Sequence, residues 1–275
     1  MTQRKIIINN LKDADFRDQL KKIFVNKYKI DKEIVNRLSF KISPKDGMLN
    51  NSIEHYLFCG ANAIQTISKL VKKNEHLNIN NILDFPTGYG RVNRWLRASF
   101  PNASLYGVDL IDTAINYCCD EFYCQKLPSS LDVSKYQFNT TFDIIWCGSI
   151  FTHLNETDST KLIKTLLNSL TTNGILLTTL HGDFVYNRLK NSIKTYNLSS
   201  EKILSIVREY DNSKSGFCFQ SYNSDNPKYG ISLTNPKWVS TLQSKLFEKS
   251  FSLCYYEQRG WADHQDILVI KRLNN

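Results

Sequence analysis

The sequence predicts an α/β fold on a mostly parallel seven-stranded sheet with an antiparallel last strand, a helical N-terminal extension and an insertion after strand five. Three observations predict it. From residue 80 onward, short apolar runs alternate with turns and helical stretches, the pattern of a parallel sheet with crossover helices. Over residues 11–75 the apolar residues recur at helical spacing instead. At the C-terminal end, two apolar runs flank a turn too short for a crossover, so those two strands must pair antiparallel.

In the N-terminal part, Phe16, Leu20, Ile23 and Phe24 mark one helix, and Ile53, Leu57, Ala61, Ile64, Ile67 and Val71 mark a longer one. Ser43-Pro44-Lys45-Asp46-Gly47 breaks the pattern between them. This defines an extension over residues 1–78 and a main domain over 79–275. The first strand is Asn81 to Phe85, followed by a glycine-bearing loop and a helix from Val92 to Ser99. A second strand, Ser104 to Asp109, leads into a helix from Thr113 to about Phe122. Gln125 to Thr141 carries no clear period, and the next strand is Phe142 to Cys147. A helix from Asp158 to Leu170 runs into Thr171-Thr172-Asn173-Gly174, where Gly174 is expected to take the left-handed cap conformation. The strand Ile175 to Leu180 ends at His181-Gly182. Residues 183–233, roughly, do not fit the alternation: two helices and an aromatic section, Gly216 to Tyr222, read as a substrate-side insertion. Pro236 opens a helix, Trp238 to Phe247, before the closing strands Phe251 to Gln258 and Gln265 to Lys271.

Composition excludes several classes. With 41% hydrophobic and 22% charged residues in 275, the chain has ordinary globular usage. No apolar run reaches the length of about 18 residues that a membrane helix needs, and the N-terminus lacks the apolar stretch of a signal peptide. A cytoplasmic protein without membrane insertion is expected. The seven cysteines, Cys59, Cys118, Cys119, Cys124, Cys147, Cys218 and Cys254, show no paired CxxC spacing, so reduced, buried thiols and no metal site are expected. The formal charge of +9 is spread over scattered lysines, which reads as a solvated surface; a nucleic-acid partner is possible but not favoured.

The loop Asp84-Phe85-Pro86-Thr87-Gly88-Tyr89-Gly90 follows a strand and precedes a helix, where backbone amides can approach a nucleotide-type ligand. Gly88 and Gly90 leave room by having no side chains. Asp84 stands at the end of the first strand, and Asp109 ends the second, where an acid can accept hydrogen bonds from both hydroxyls of a ribose. Each Asp could instead cap backbone.

These residues carry a resemblance. Ile82 to Arg91 resembles the first motif of class I S-adenosylmethionine-dependent methyltransferases, Gly107-Val108-Asp109-Leu110 the second-strand acidic motif, and Phe142 to Ser149 the fourth-strand motif. Leu170 to Leu176 is similar to the turn before strand five, and Gln265 to Val269 to the antiparallel last strand. Pro86 departs from the family's first glycine; the resulting Asp-x-Pro-x-Gly-x-Gly, with Gly148-Ser149-x-x-Thr152-His153-Leu154 and Thr179-x-His181-Gly182, resembles a bacterial subgroup. The resemblance implies a Rossmann-like fold and S-adenosyl-L-methionine as cofactor. It implies that Asp84, Pro86, Gly88, Gly90 and Arg91 surround the methionine moiety, that Asp109 holds the ribose, that Leu110 or Ile111 packs on the adenine, and that Cys147 and Gly148 border the site. Ser130, Leu131 and Asp132 are candidates for the third-strand adenine contact.

Methyl transfer from a sulfonium is an in-line displacement, and a hydroxyl acceptor benefits from a base. His153, His181 and His264 fall at strand ends or turns, and each is a candidate base or an ordinary turn residue. A metal between His181, Asp183 and His264 stays open, although no spacing suggests it. Arg91 and Arg94 could anchor a carboxylate or phosphate, or form surface ion pairs. Phe217, Phe219, Tyr222 and Tyr229 could line an acceptor pocket or form the insertion's core. The expected reaction is O-methylation of a small-molecule or glycan hydroxyl. Alternatives are an RNA or other nucleic-acid methyltransferase, a nicotinamide dehydrogenase, against which Asn93 stands at the third small position, and a non-catalytic scaffold. A homodimer is possible.

Overall fold

The computed structural model describes residues 3–74, 77–246 and 250–274. The chain divides into two compact units, 1–129 and 130–275.

The first unit opens with four helices: α1 (Gln3–Asn10), α2 (Ala14–Asn26), α3 (Lys32–Arg37) and α4 (Ile53–Lys72). The starts of the last three are dictated by capping side chains. Asp13, Asp31 and Ser52 each accept a hydrogen bond from a backbone amide of the following turn, which satisfies donors that the helix itself cannot. The expected end of this helical region, residue 75, lies outside the described residues. The core face of α4 is the one its period predicts, with Leu57, Ala61, Ile64 and Ile67 buried. Gly60 permits its closest contact, because a Cβ there would collide with the Trp95 ring and the Arg91 carbonyl. Then come β1 (Asn81–Asp84), α5 (Asn93–Ser99), β2 (Ser104–Gly107), α6 (Asp112–Phe122) and β3 (Cys124–Lys126). β1 pairs parallel with β2, and β2 with β3. The strand missing from the sequence pattern is β3, three residues with only Cys124 buried, too short to show a period.

The second unit holds β4 (Phe142–Cys147), α7 (Glu156–Asn168), β5 (Leu170–Leu180), α8 (Asp183–Lys190), α9 (Ser200–Asn212), β6 (Phe217–Ser221), β7 (Gly230–Thr234), α10 (Pro236–Leu246), β8 (Phe251–Trp261) and β9 (Gln265–Arg272). The expected helix end at Phe247 lies outside the described residues. β4 pairs parallel with β5, whereas β9 pairs antiparallel with both β5 and β8. Since β8 reverses β9, it points along β5, and β9 alone runs against the rest. The sheet order is β3-β2-β1-β4-β5-β9-β8, the seven-stranded arrangement expected.

Two local expectations fail. The helix before strand five ends at Asn168, and Gly174 is not its left-handed cap; β5 begins at Leu170 and the left-handed residue is Asn173, at φ 65°. The pairing of β4 with β5 shifts register there, and a Cβ on Gly174 would lie 2.8 Å from the Thr171 carbonyl and 2.9 Å from that of Phe142. Gly174 therefore serves close backbone approach inside a bulge. The cysteines are not uniformly buried either: Cys119 is half-buried and Cys254 exposed on β8.

The insertion adds a two-stranded antiparallel sheet, β6 with β7, extending through Thr234. Its own core is Val185, Leu189, Ile206, Cys218, Ile231 and Leu233, from both helices and both strands.

Candidate functional site

In the first unit, the Asp84–Gly90 loop is held by its own backbone and by the residues after β2. The Thr87 amide donates to the Val108 carbonyl at 2.9 Å, and its hydroxyl donates to the Asp84 carbonyl at 2.9 Å. Asp109 accepts from the Gly88 amide through Oδ2 (2.6 Å) and from the Ile111 amide through Oδ1 (2.8 Å). The carboxylate thus sets the loop's shape while each oxygen keeps a second lone pair. Capping and ligand roles, alternatives in the sequence, are here compatible.

The two loop glycines differ. Both have positive φ, 54° at Gly88 and 81° at Gly90. A Cβ on Gly88 would meet nothing within 4 Å, so open space lies over that position; one on Gly90 would collide with the Phe122 ring. Gly88 accordingly leaves room for a ligand, while Gly90 leaves room for the protein's own core, contrary to the expectation that both serve the ligand. Pro86 sits between Phe85 and Thr87 in the same turn, and Leu110 and Ile111 stand exposed beyond Asp109.

Asp84 is almost fully buried and receives one hydrogen bond, from the Asn93 amide nitrogen at 3.1 Å. Burial pushes its carboxyl well above the usual range, Asn93 opposes that, and the nearby Asp109 adds to it. Asn93 Oδ1 is a buried acceptor without a partner. A cationic group would relieve both: it would favour the ionised Asp84 and give Asn93 a donor. S-adenosylmethionine is such a cation, so the residues present fit that cofactor. In the sequence Asn93 stands out only as an obstacle to a dinucleotide motif; no periodic or compositional signal marks its contact with Asp84.

Arg94 needs a correction. It neither forms a surface ion pair nor presents itself to an anion. At 1% exposure, its guanidinium donates to the carbonyls of Gly90, Ser39 and Lys41 and to the Tyr56 hydroxyl, and stacks against the Tyr56 and Phe122 rings. It ties the segment before α4 to the loop. Arg91, by contrast, is half-buried. Of the third-strand candidates, Ser130 and Asp132 serve their own turn: the Ser130 carbonyl accepts from the Tyr136 hydroxyl and Asp132 caps a short 3-10 turn at 133–135, while Leu131 is exposed.

In the second unit, Cys147 ends β4 fully buried and Gly148 lies against the Trp146 indole. Beyond them the three candidate histidines, far apart in sequence, come together. The His181 ring lies 6.4 Å from that of His153 and 5.7 Å from that of His264, each nearly perpendicular. His153 Nδ1 sits 2.9 Å from the Gly230 carbonyl and 3.1 Å from the Tyr222 hydroxyl, and its ring stacks on Tyr229. His264 Nε2 sits 2.9 Å from the Tyr196 hydroxyl. His181 is 5% exposed, and its Nδ1 has no partner. Burial, then the neighbouring imidazoles His264 and His153, hold its pKa well below the ordinary range; burial likewise lowers that of His153. His181 is therefore neutral at pH 7, with one ring nitrogen that makes no hydrogen bond.

The surroundings are pinned. Thr179 donates to Gln265 Oε1 at 2.6 Å and accepts from the Ser149 amide at 2.7 Å, linking the ends of β4, β5 and β9. Asp183 accepts from Tyr210 and Gln258, and among the described residues no group of three or more His, Cys, Asp or Glu is placed to hold a metal. Of the insertion's aromatics, Phe217 packs on Trp238, and Tyr222, which packs against the insertion's core, lies with Tyr229 beside His153. Tyr196, Thr179 and Gln265 escape sequence reasoning, since nothing local marks a residue whose partner is distant in sequence.

Comparison with known proteins fits this picture. Residues 82–174 match a family model described as a methyltransferase domain. A curated malonyl-[acyl-carrier protein] O-methyltransferase from Acetivibrio thermocellus is 25% identical over 116 residues, 42% of this chain and 40% of its own length. The chain thus aligns with about two fifths of that relative. Among solved structures, an S-adenosylmethionine-dependent methyltransferase from Clostridium acetobutylicum covers 95% of this chain and 100% of its own, at 12% identity and TM-score 0.53. The plantazolicin methyltransferase BpumL, solved with a substrate analogue and S-adenosylhomocysteine, covers 98% and 100%, at 14% identity and TM-score 0.52. Residues 82–174 are thus similar to a methyltransferase domain, and the chain shares its fold with solved methyltransferase structures.

Proposed function

We propose that the chain transfers the methyl group of S-adenosylmethionine to an oxygen, a hydroxyl of a small molecule or glycan, with His181 as the base. The observation that supports it most is the convergence of His153, His181 and His264, with His181 Nδ1 buried and unpartnered. A curated relative named as an O-methyltransferase supports oxygen as the acceptor atom. In this reading Asp84, Pro86, Gly88 and Arg91 enclose the methionine part of the cofactor, Asp109 takes the ribose hydroxyls, Leu110 or Ile111 covers the adenine, and Cys147 and Gly148 border the site. The bound cofactor supplies an electrophilic methyl on a sulfonium. His181 takes the acceptor's hydroxyl proton as the methyl group passes from the sulfonium to the oxygen and S-adenosylhomocysteine leaves, so that the oxygen meets the methyl group as a stronger nucleophile. Tyr222 and Tyr229 offer ring faces to a planar or sugar acceptor.

In the same reading residues 1–78 extend a methyltransferase domain of 79–275, the loop variant with Pro86 marks the bacterial subgroup named above, and the protein works in the cytoplasm, alone or as a homodimer. No helix among the described residues is long and apolar enough to cross a membrane. Calorimetric titration with S-adenosylmethionine and S-adenosylhomocysteine tests the cofactor, and absence of binding by both would sink it. Incubation with methyl-labelled cofactor and a panel of phenols, sugars and amines tests the acceptor; label entering only amines would reject the oxygen reading.

A further inference from the structure

The loop between α8 and α9 contains three residues other than glycine with left-handed backbone: Ser192 (φ 55°), Tyr196 (φ 50°) and Asn197 (φ 64°). A bulky aromatic residue rarely takes that conformation, because its Cβ crowds the following carbonyl. The β8–β9 turn region repeats the feature at Arg259 (φ 56°), Ala262 (φ 53°) and Asp263 (φ 56°). Left-handed residues that are not glycine persist only where their surroundings over-determine them, and they cluster at functional sites.

A hydrogen bond between the Tyr196 hydroxyl and His264 Nε2, 2.9 Å long, joins these two segments. The Tyr196 ring also lies 5.8 Å from the His181 ring and 5.9 Å from that of His264. Packing into the insertion's core accounts for the ring but not for the hydroxyl, which water would satisfy equally well on a half-buried residue. We propose that Tyr196 is a positioning residue of the histidine site: its hydroxyl donates to His264 Nε2, holds that ring's proton on Nδ1, and fixes the imidazole that packs against His181. This rests on the reading of His181 as the base.

The electrical surroundings agree. Facing this pair are His181 and Phe184, the latter 5.6 Å from the His264 ring. Lys194 stands 5.0 Å over the Tyr196 ring, Arg188 lies near the Tyr196 hydroxyl, and Arg259 covers Phe184 while paired with Asp263 at 2.7 Å. Burial raises the Tyr196 phenol, keeping it a donor. A neutral ring with its proton fixed on one nitrogen presents one constant face to His181.

The test is long-range proton–nitrogen correlation on the full chain with labelled histidines at pH 8. Wild type should show His264 as a single tautomer protonated on Nδ1. Tyr196→Phe, which keeps the ring, should give an average of both tautomers at His264 and displace the His181 signals, with those of His55 unchanged. A His264 proton on Nε2 in wild type, or an unaltered tautomer in Tyr196→Phe, overturns the proposal. With any hydroxyl acceptor found in the panel above, Tyr196→Phe should lower kcat about tenfold and leave the cofactor KM unchanged. Full turnover by His181→Gln would reject the base reading, while the tautomer result would still decide the role of Tyr196.

Discussion

The Asp84–Gly90 loop and the histidine cluster are built on opposite plans. In the loop the hydrogen bonds that set its shape have a backbone group on at least one side: Asp109 reads the amides of Gly88 and Ile111, and Thr87 reads the carbonyls of Asp84 and Val108. In the cluster the contacts are between side chains from β4, β5 and the β8–β9 turn, and one central nitrogen, His181 Nδ1, has no partner at all. In the proposed function the first region is a shape held ready for a ligand, and the second is a reactive group held away from water. Substitutions should therefore act on binding and stability in the first and on rate in the second.

The largest effect should come from His181→Gln, which removes the proposed base: turnover should fall by about 10²–10⁴-fold with calorimetric affinity for S-adenosylmethionine unchanged. A parallel loss of affinity would erase the distinction between the two regions. Asp109→Ala should weaken cofactor binding by about 2 kcal/mol, the scale of a lost charged hydrogen bond, because the loop's anchor and the proposed ribose acceptor disappear together. Gly90→Ala should cost about 2 kcal/mol of stability, read by denaturant unfolding, through collision with Phe122. Gly88→Ala meets no neighbour, so it should cost only about 1 kcal/mol for the left-handed backbone, yet lose more cofactor affinity than its stability loss suggests.

Asp84→Asn should separate the two properties within one residue. Burial raises the folded pKa of Asp84, so the folded state binds a proton more tightly than the unfolded one, and its contribution to stability is lost as pH rises above 3.8. An amide carries no such cost, and at pH 7 the variant should melt higher without cofactor while binding it more weakly. The smallest effect is the acid limb. His181 and His153 have pKa values lowered by burial from 6.5, so below that pH the unfolded chain takes up protons that the folded one refuses. Stability should decline as pH falls below about 6.5. Unfolding curves at pH 7.5 and 5.5 check this, and His153→Gln should reduce the difference.

Much of the fold and of the loop is legible in the sequence. Alternation of apolar runs identifies the strands from Ile82 to Val269, because a strand buried on both faces has only one composition available to it. Asp84, Gly88 and Asp109 are legible because a strand, a tight turn and a helix are local, and local backbone geometry is written in adjacent residues. β3 escapes because three residues carry no period, and the bulge at Asn173 because register depends on the partner strand. Arg94 misleads since charge suggests solvent, while its actual partners include carbonyls more than fifty residues away.

The sequence by itself thus determined the order of strands and helices, the turn that opens toward a cofactor, and which residue types could do acid–base chemistry. Only the tertiary structure decided that His153, His181 and His264 share one site, that Gly90 faces Phe122 and not a ligand, and that Tyr196 meets His264. The reason is range: propensity and periodicity act over a turn or a strand, whereas burial and ring contacts depend on which elements pack together, and that is a property of the whole chain.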